Sequence, residues 1–241
     1  MKKILIAIIC ALLATSMVGC NMGLNTIRNP ENSTDTQSET KKQETQKPPK
    51  PDPMDLVITE SGWSVTEGGY VQYGIGIKNP NRDYEARLFT ITVSGKDANG
   101  KILFSEYSVI GSVFPNGEYY FGTQVGNGLT PTSMDFIISV SESNWVETSD
   151  QSTNRFVISN TNEILSDYGL VSFTGEISTT DKTATGGVFL SLVFRNKEGK
   201  IVGGSNGFTD IATTNTKYPF EIRTFSPVEH DKYDIYAYIY K

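Results

Sequence analysis

The second half of this chain repeats the first, and the repeated positions keep their places on the faces of β-strands. At an offset of 100 residues Ile77 coincides with Ile177, and after the loss of one residue an offset of 99 brings Asp135 onto Asp234. A slip of one residue would turn every inward side chain outward, so the phase is strongly constrained. A single gap across about 85 residues, with the phase kept throughout, therefore predicts two copies of one fold.

The alternation of apolar and polar residues in each copy predicts the class of fold. Apolar side chains take every second position in residues 71–77, and Phe89, Ile91 and Val93 continue the same alternation. These runs are short and rich in Val, Ile, Thr, Tyr and Phe, and Gly, Asn, Asp and Pro separate them. No stretch after residue 55 has a helical period. We expect an all-β chain with β-domains at residues 55–142 and 156–241, joined by a polar linker at residues 143–155.

The first twenty residues have the order of a secretion signal. Two lysines precede an apolar run at residues 4–18, which is shorter than the ~20 residues of a membrane-spanning helix. The run ends in MVGC at residues 17–20, and this segment resembles the lipobox of bacterial lipoproteins. The resemblance implies that residues 1–19 are removed as a signal peptide and that Cys20 is lipidated, with acyl chains such as palmitate. The alternative is an ordinary secretory signal with an incidental cysteine.

The positions of the two cysteines limit the disulfide and metal-binding chemistry of the chain. Cys10 lies in the segment that would be removed, and Cys20 would carry the lipid. The mature chain then has no intramolecular disulfide, so its stability must come from apolar cores. A zinc site built on cysteines is excluded for the same reason.

Residues 20–54 have the composition of a tether. Residues 29–53 are almost entirely Asn, Ser, Thr, Gln, Glu, Asp, Lys and Pro, which bury too little apolar surface to offset ordering entropy. A flexible coil of this length has an end-to-end distance on the order of 30–35 Å, and its proline-rich end is stiffer. We therefore expect a disordered linker that holds the folded part away from a membrane.

The charge balance restricts the partners. The formal net charge is −6, and removal of the two signal lysines makes the mature chain more acidic. An acidic surface repels nucleic-acid phosphates and anionic headgroups, so no nucleic-acid partner is expected. Membrane attachment is assigned to the lipid on Cys20, because two or more acyl chains anchor stably without a basic patch.

The residues with catalytic or metal-binding chemistry form no convincing constellation. His230 is the only histidine and is expected to be a solvated loop residue. The segment DANG at residues 97–100 fits a hairpin turn better than a calcium loop, which would need further carboxylates at fixed spacing. Gly203 and Gly204 are interpreted as a strand-end turn or bulge. Pairs of carboxylates could serve glycoside hydrolysis, but nothing places two in an apolar cleft. We predict no catalytic residue, no metal and no cofactor.

A row of tyrosines is the candidate binding surface. The repeat places the alternate residues of the last strand on the core face, which leaves Tyr236, Tyr238 and Tyr240 on the outer face. Exposed tyrosines provide amphipathic contact area for sugar rings or a protein partner. Cross-strand aromatic pairing, or packing of one domain on the other, is the competing interpretation.

The first copy resembles the bacterial FxLYD-type domain, an immunoglobulin-like module of cell-surface proteins. The resemblance rests on YGIGIKN at residues 73–79, FTITV at 89–93, DANGK at 97–101 and FPNGE at 114–118. The second copy keeps NKEGK at residues 196–200 and diverges elsewhere. The resemblance implies two tandem immunoglobulin-like antiparallel β-sandwich domains without catalytic activity, and it carries no information on the ligand.

These observations predict a lipid-anchored protein on the extracytoplasmic face of the cell membrane that acts as a non-catalytic binding or structural module. A cell-wall polymer, another envelope protein and a host molecule are the partner classes left open. The alternative from a different class is an accessory subunit of an envelope enzyme, or a hydrolase that uses surface carboxylates.

Overall fold

Short alternating runs build nearly all the regular structure of this chain. The computed structural model describes residues 51–153, 155–166 and 169–240. They contain fifteen β-strands, with 3-10 turns at Glu142–Asn144 and Lys182–Ala184. Every strand pairing is antiparallel, so the all-β prediction is confirmed. The predicted signal peptide and most of the predicted tether lie outside the described residues.

The first half of the described chain contains nine strands in three sheets. The strands are β1 (Val57–Val65), β2 (Val71–Lys78), β3 (Tyr84–Arg87), β4 (Thr90–Lys96), β5 (Ile102–Val109), β6 (Ser112–Val113), β7 (Glu118–Val125), β8 (Ser133–Ser139) and β9 (Trp145–Glu147). Two of the sheets have the strand orders β1-β2-β7 and β5-β4-β8, and a small third sheet has the order β6-β3-β9.

The second half contains six strands in two sheets. The strands are β10 (Val157–Leu165), β11 (Leu170–Ser178), β12 (Gly186–Arg195), β13 (Ile201–Ile211), β14 (Tyr218–Phe225) and β15 (Lys232–Ile239). The strand orders β10-β11-β14 and β13-β12-β15 reproduce the two larger sheets of the first half.

The strand registers repeat with the offset of the sequence alignment. Thr90 of β4 pairs with Ser139 of β8, and 99 residues later Phe189 of β12 pairs with Tyr238 of β15. A register shift near the end of the β4–β5 ladder recurs near the end of the β12–β13 ladder. The small sheet β6-β3-β9 is the part of the first half without an equivalent in the described part of the second.

The segment predicted as a linker, residues 143–155, contains regular structure. Its apolar residues Trp145 and Val146 belong to β9, which pairs with β3 of the first half. Trp145 packs against the hydrophobic core of that half. The beginning of the segment is therefore part of the first half, because its strand pairs with β3 and Trp145 is partly buried against that core.

Each half has a hydrophobic core between its two larger sheets. In the first half the ring of Tyr73 on β2 lies 5.3 Å from that of Phe136 on β8, across the sandwich. In the second half the ring of Phe173 on β11 lies 5.4 Å from that of Phe194 on β12. The alternation seen in the sequence thus places one face of each sheet in a core, which positions the opposite faces for other contacts.

The two halves pack against each other through these opposite faces. The outer face of sheet β13-β12-β15 covers the outer face of sheet β1-β2-β7. Phe189, on the outer face of β12, is 9% exposed and is part of the hydrophobic core of the first half. The described chain is consequently one compact unit with two cores and a buried junction.

Candidate functional site

Tyr238 points from β15 into the junction between the halves. Its ring stacks on that of Tyr119 with 3.8 Å between centroids. Its hydroxyl oxygen accepts a hydrogen bond of 2.6 Å from the backbone N–H of Tyr120. Burial raises the pKa of Tyr238 well above its ordinary value, so the hydroxyl stays protonated. Tyr238 was a candidate for binding a partner, but its ring and its hydroxyl both contact the first half of the chain.

Tyr236 and Tyr240 differ in exposure. Tyr236 stacks on Tyr120 with 4.3 Å between ring centroids, and burial raises its pKa. Tyr240 is 61% exposed, and its ring contacts that of Phe208 edge-on at 5.0 Å. The three tyrosines do share the outer face, but two of them pack on the first half. Their geometry matches the competing interpretation, in which one half packs on the other, at Tyr236 and Tyr238.

The free edge of β7 is closed by side chains of the second half. Besides the bond from Tyr120 to Tyr238, the N–H of Gly122 donates to Ser191 Oγ at 2.9 Å. The amide of Asn206 donates to the carbonyl oxygen of Gly122 at 3.0 Å. An unpaired strand edge is a template for pairing with another chain, and these three bonds engage the middle of the β7 edge internally.

Glycines let the two sheets approach closely at this junction. A Cβ on Gly122 of β7 would lie 2.1 Å from the carbonyl oxygen of Leu192 and 2.9 Å from the Cα of Gly204. A Cβ on Gly74 of β2 would lie 2.7 Å from a methyl carbon of Ile201. Of the two interpretations of Gly203 and Gly204, the turn is wrong, because both lie within β13 and Gly204 meets the facing sheet, whereas a bulge fits the register shift of the β12–β13 ladder beside Gly203.

Ion pairs and hydrogen bonds also connect the two halves around the junction. Arg195 makes a bidentate ion pair with Glu60, with N–O distances of 2.8 and 2.9 Å, and its Nε donates to Asp234 at 2.6 Å. The hydrogen bonds from Arg195 lower the pKa of Glu60. The fully buried amide of Gln72 accepts from the N–H of Val228 at 3.0 Å. These contacts fix the relative position of the two halves.

Two adjoining cavities open beside the junction, with volumes of about 660 and 480 Å³. They share walls formed by Glu118, Thr153, Arg155 and Phe156, and both reach Ala237 and Tyr238 of β15. We call the combined space the β15 groove. The volume of each cavity is in the range of ~300–1,000 Å³ that ligand sites occupy. No sequence pattern predicts this groove, because its walls come from segments far apart in the chain.

Arg155 holds the segment that forms one wall of the β15 groove. Its guanidinium makes ion pairs with Asp150 and Asp181 and lies 4.8 Å from the ring centroid of Phe114. The side chain is 8% exposed, and its Nε has no hydrogen-bond partner within the described residues. Arg155 therefore links both halves and the segment between them, as a positioning residue for the groove wall.

The carboxylates of the β15 groove are mostly engaged. Glu85 accepts hydrogen bonds of 2.9 and 2.7 Å from Arg87, and Asp150 is bound by Arg155. A backbone hydrogen bond from Ser152, with the charge of Arg155, lowers the pKa of Asp150. A general acid for glycoside hydrolysis needs a raised pKa instead. The third carboxylate of the walls, Glu118, is exposed.

His230 and residues 97–100, the other candidates from the sequence, have structural roles. His230 was predicted to be solvated, and this was wrong: its side chain is 9% exposed and packs 4.4 Å from the ring of Phe194. The loop of His230 folds back onto the second core, which the sequence of a polar loop does not indicate. Asp97 accepts 2.9 Å bonds from the N–H groups of Asn99 and Lys101, as expected of a hairpin turn.

The predicted lipidation site, Cys20, lies outside the described residues. Within residues 51–153, 155–166 and 169–240, no group of three or more His, Cys, Asp or Glu side chains is arranged to hold a metal ion. In the same ranges no helix has the length and apolar character required to cross a bilayer.

The chain was compared with models of protein families and with curated proteins. No family model matches it, and no curated protein is significantly similar to it. The resemblances to the lipobox and to the FxLYD-type domain therefore stay predictions from the residues that carry them.

Proposed function

We propose that this chain is a lipid-anchored, non-catalytic binding protein on the extracytoplasmic face of the bacterial cell membrane. The β15 groove is the observation that carries the binding role. It is a concave space of ligand-site size, in which aromatic and aliphatic side chains alternate with a larger number of polar and charged ones that can orient a ligand. The order of lysines, apolar run and MVGC at residues 17–20 supports the anchor, and the polar composition of residues 29–53 supports the tether predicted at residues 20–54.

The alternative, a hydrolase that uses surface carboxylates, has weaker support. It needs two carboxyl groups with separated pKa values, one of them raised. In the β15 groove the backbone of Ser152 and the guanidinium of Arg155 lower the pKa of Asp150, and Glu85 is engaged by Arg87. A binding role uses the same charged groups for orientation and needs no proton transfer.

The anchor is tested by replacing Cys20 with Ser in the full chain. We expect the variant to lose metabolic palmitate labelling and to move from the membrane fraction to the medium, because no acyl chain then holds it. Cys10→Ser is the matched control, since Cys10 lies within the segment predicted to be removed, and it should keep the label and the membrane location. Retained labelling of the Cys20→Ser protein would contradict the proposal.

A further inference from the structure

β7 and β15 are both edge strands at the junction, and they differ in what borders their free edges. The edge of β7 is closed by Tyr238, Ser191 and Asn206 of the second half. β15 is also an edge strand, because the order of its sheet is β13-β12-β15. Instead of side chains that cap it, its free edge borders the β15 groove.

The lining of the groove shows that this edge faces it. One cavity is lined by the consecutive residues Ala237, Tyr238 and Ile239, and the other by Ile235, Tyr236, Ala237 and Tyr238. Successive side chains of a strand point to opposite faces of its sheet. Consecutive residues can border one space together only where that space runs along the strand edge. Five residues of strand extend over ~14 Å.

The hydrogen bonds of β15 determine which backbone groups point into the groove. The N–H of Tyr240 donates to the carbonyl oxygen of Gly187 on β12, at 2.9 Å. In an antiparallel ladder the residues that bond to the neighbouring strand alternate with residues whose N–H and C=O point away from it. By this alternation Tyr236 and Tyr238 bond to β12, and Ile235, Ala237 and Ile239 direct their backbone groups to the free edge.

The groove has a defined length along β15. Near Ile239 the groove narrows, since a Cβ on Gly111 would lie 3.8 Å from the carbonyl oxygen of Ile239. Thr153 and Phe156 line both cavities together with Ala237. The open stretch of edge is therefore centred on Ala237, with apolar and polar side chains on either side of it.

The charge of the walls distinguishes between classes of ligand. The groove is lined by the carboxylates of Glu85, Glu118 and Asp150 and by the guanidinium groups of Arg87 and Arg155. Asp181 outside the lining is a second acidic partner of Arg155. The excess of carboxylates disfavours an anionic ligand such as a polyphosphate chain and favours a cationic one.

We propose that the β15 groove binds an extended, positively charged peptide segment of a partner protein, which adds as a strand to the free edge of β15 at Ala237. Backbone hydrogen bonds to the edge would supply affinity, and the charged and aromatic walls would select the side chains. This inference rests on the proposed function, because it names the class of partner that the binding protein takes. It makes the anchored chain a receptor for an unstructured segment displayed in the cell envelope.

A displayed library of random heptapeptides is the probe for this proposal. The full-length protein, extracted from membranes in detergent, is immobilised and used for selection, with the Ala237→Pro protein for counter-selection. Proline removes the edge-facing N–H and is tolerated on an edge strand, since that N–H bonds to no neighbouring strand. We expect enriched peptides rich in β-branched residues with Lys or Arg, which bind at least tenfold more weakly to Ala237→Pro.

Three further variants separate edge pairing from indirect effects. Ala237→Ser keeps the backbone N–H and nearly the same volume, so it should bind as the wild type does. Thr153→Trp fills the groove from an exposed lining position and should abolish binding even where Ala237→Pro folds poorly. Glu118→Lys should weaken the binding of Lys- or Arg-containing peptides severalfold, with less effect at high salt.

Amide hydrogen exchange tests the same edge without a substitution. In the free protein the amides of Ile235 and Ala237 should exchange faster than those of Tyr236 and Tyr238, and bound peptide should slow only the first pair markedly. Equal affinity of an enriched peptide for the wild type and Ala237→Pro, or no enrichment beyond the counter-selection, would overturn the proposal. Binding of peptide-free cell-wall glycan strands that the peptides do not displace would also overturn it. Palmitate labelling of Cys20 is measured separately, so failure here does not imply failure of the proposed anchor.

Discussion

At the scale of single residues, Tyr238 shows how one side chain joins the two halves. It stacks on Tyr119 and accepts a hydrogen bond from Tyr120, both of which are more than a hundred residues earlier in the chain. The same donor residue, Tyr120, stacks on Tyr236, and burial raises its pKa to about 12. The outer-face position of these tyrosines followed from the repeat, but their partners did not, because alternation specifies a face and not what covers it.

Removal of the hydroxyl of Tyr238 should lower the stability of the protein. In Tyr238→Phe the backbone N–H of Tyr120 loses its acceptor in a partly buried site, which costs about 1–3 kcal/mol. Tyr240→Phe is the matched control and should change the free energy of unfolding by less than about 0.5 kcal/mol, because Tyr240 is exposed. Urea denaturation of both variants measures the difference, and equal stabilities would show that the bond contributes nothing.

At the scale of strands, the repeat has diverged where the halves touch. β2 and β7 present Gly74 and Gly122 to the facing sheet, and the aligned positions of β11 and β14 carry Thr174 and Glu221. The glycines remove the side chains that would keep the sheets apart. The face of the second half that lacks them is not shaped to receive another copy in the same way.

Alanine at position 122 should force the two sheets apart. Its Cβ would meet the backbone oxygen of Leu192, which has no flexible end that could move aside. We expect a loss of about 1–3 kcal/mol in the free energy of unfolding, as for overpacked cores. Glu221→Ala, at the aligned position of β14, should cost less than about 1 kcal/mol because Glu221 is exposed. A Gly122→Ala protein as stable as Glu221→Ala would show that the sheets are not in close contact.

At the scale of the whole molecule, the two cores are coupled through the junction. Phe189 of the second half completes the core of the first, and Gln72 of the first half bonds to Val228 of the second. Arg195 and Glu60 form an ion pair across the same boundary. Separation of the halves would expose these groups together, which links the stability of one half to that of the other.

The coupling predicts a single unfolding transition. Trp63 and Trp145 both lie in the first half, so tryptophan fluorescence reports on that half, whereas far-ultraviolet circular dichroism reports on the strands of both. In urea the two signals should change together, with one midpoint. Two separated midpoints would indicate halves that unfold independently, and the Gly122→Ala variant is the protein in which such a separation should first be seen.

The sequence by itself determined the strands, their faces and the repeat, because alternation and turn residues act over a few positions. It placed residues 71–77 and 89–93 in strands with the correct core face, and the hairpin turn at residues 97–100. It also supplies the whole case for lipidation at Cys20. Local patterns of this kind carry no information about which outer faces meet.

Only the tertiary structure decided the junction and the β15 groove. The close approach of Gly122 to Gly204, the capping of β7 by Tyr238 and the groove wall at Thr153 join residues from separate strands and loops. Their positions depend on how two complete sheets pack. The pattern that predicts a strand involves only neighbouring residues. The surface that two sheets form together brings distant residues close, and it exists only after both sheets have folded.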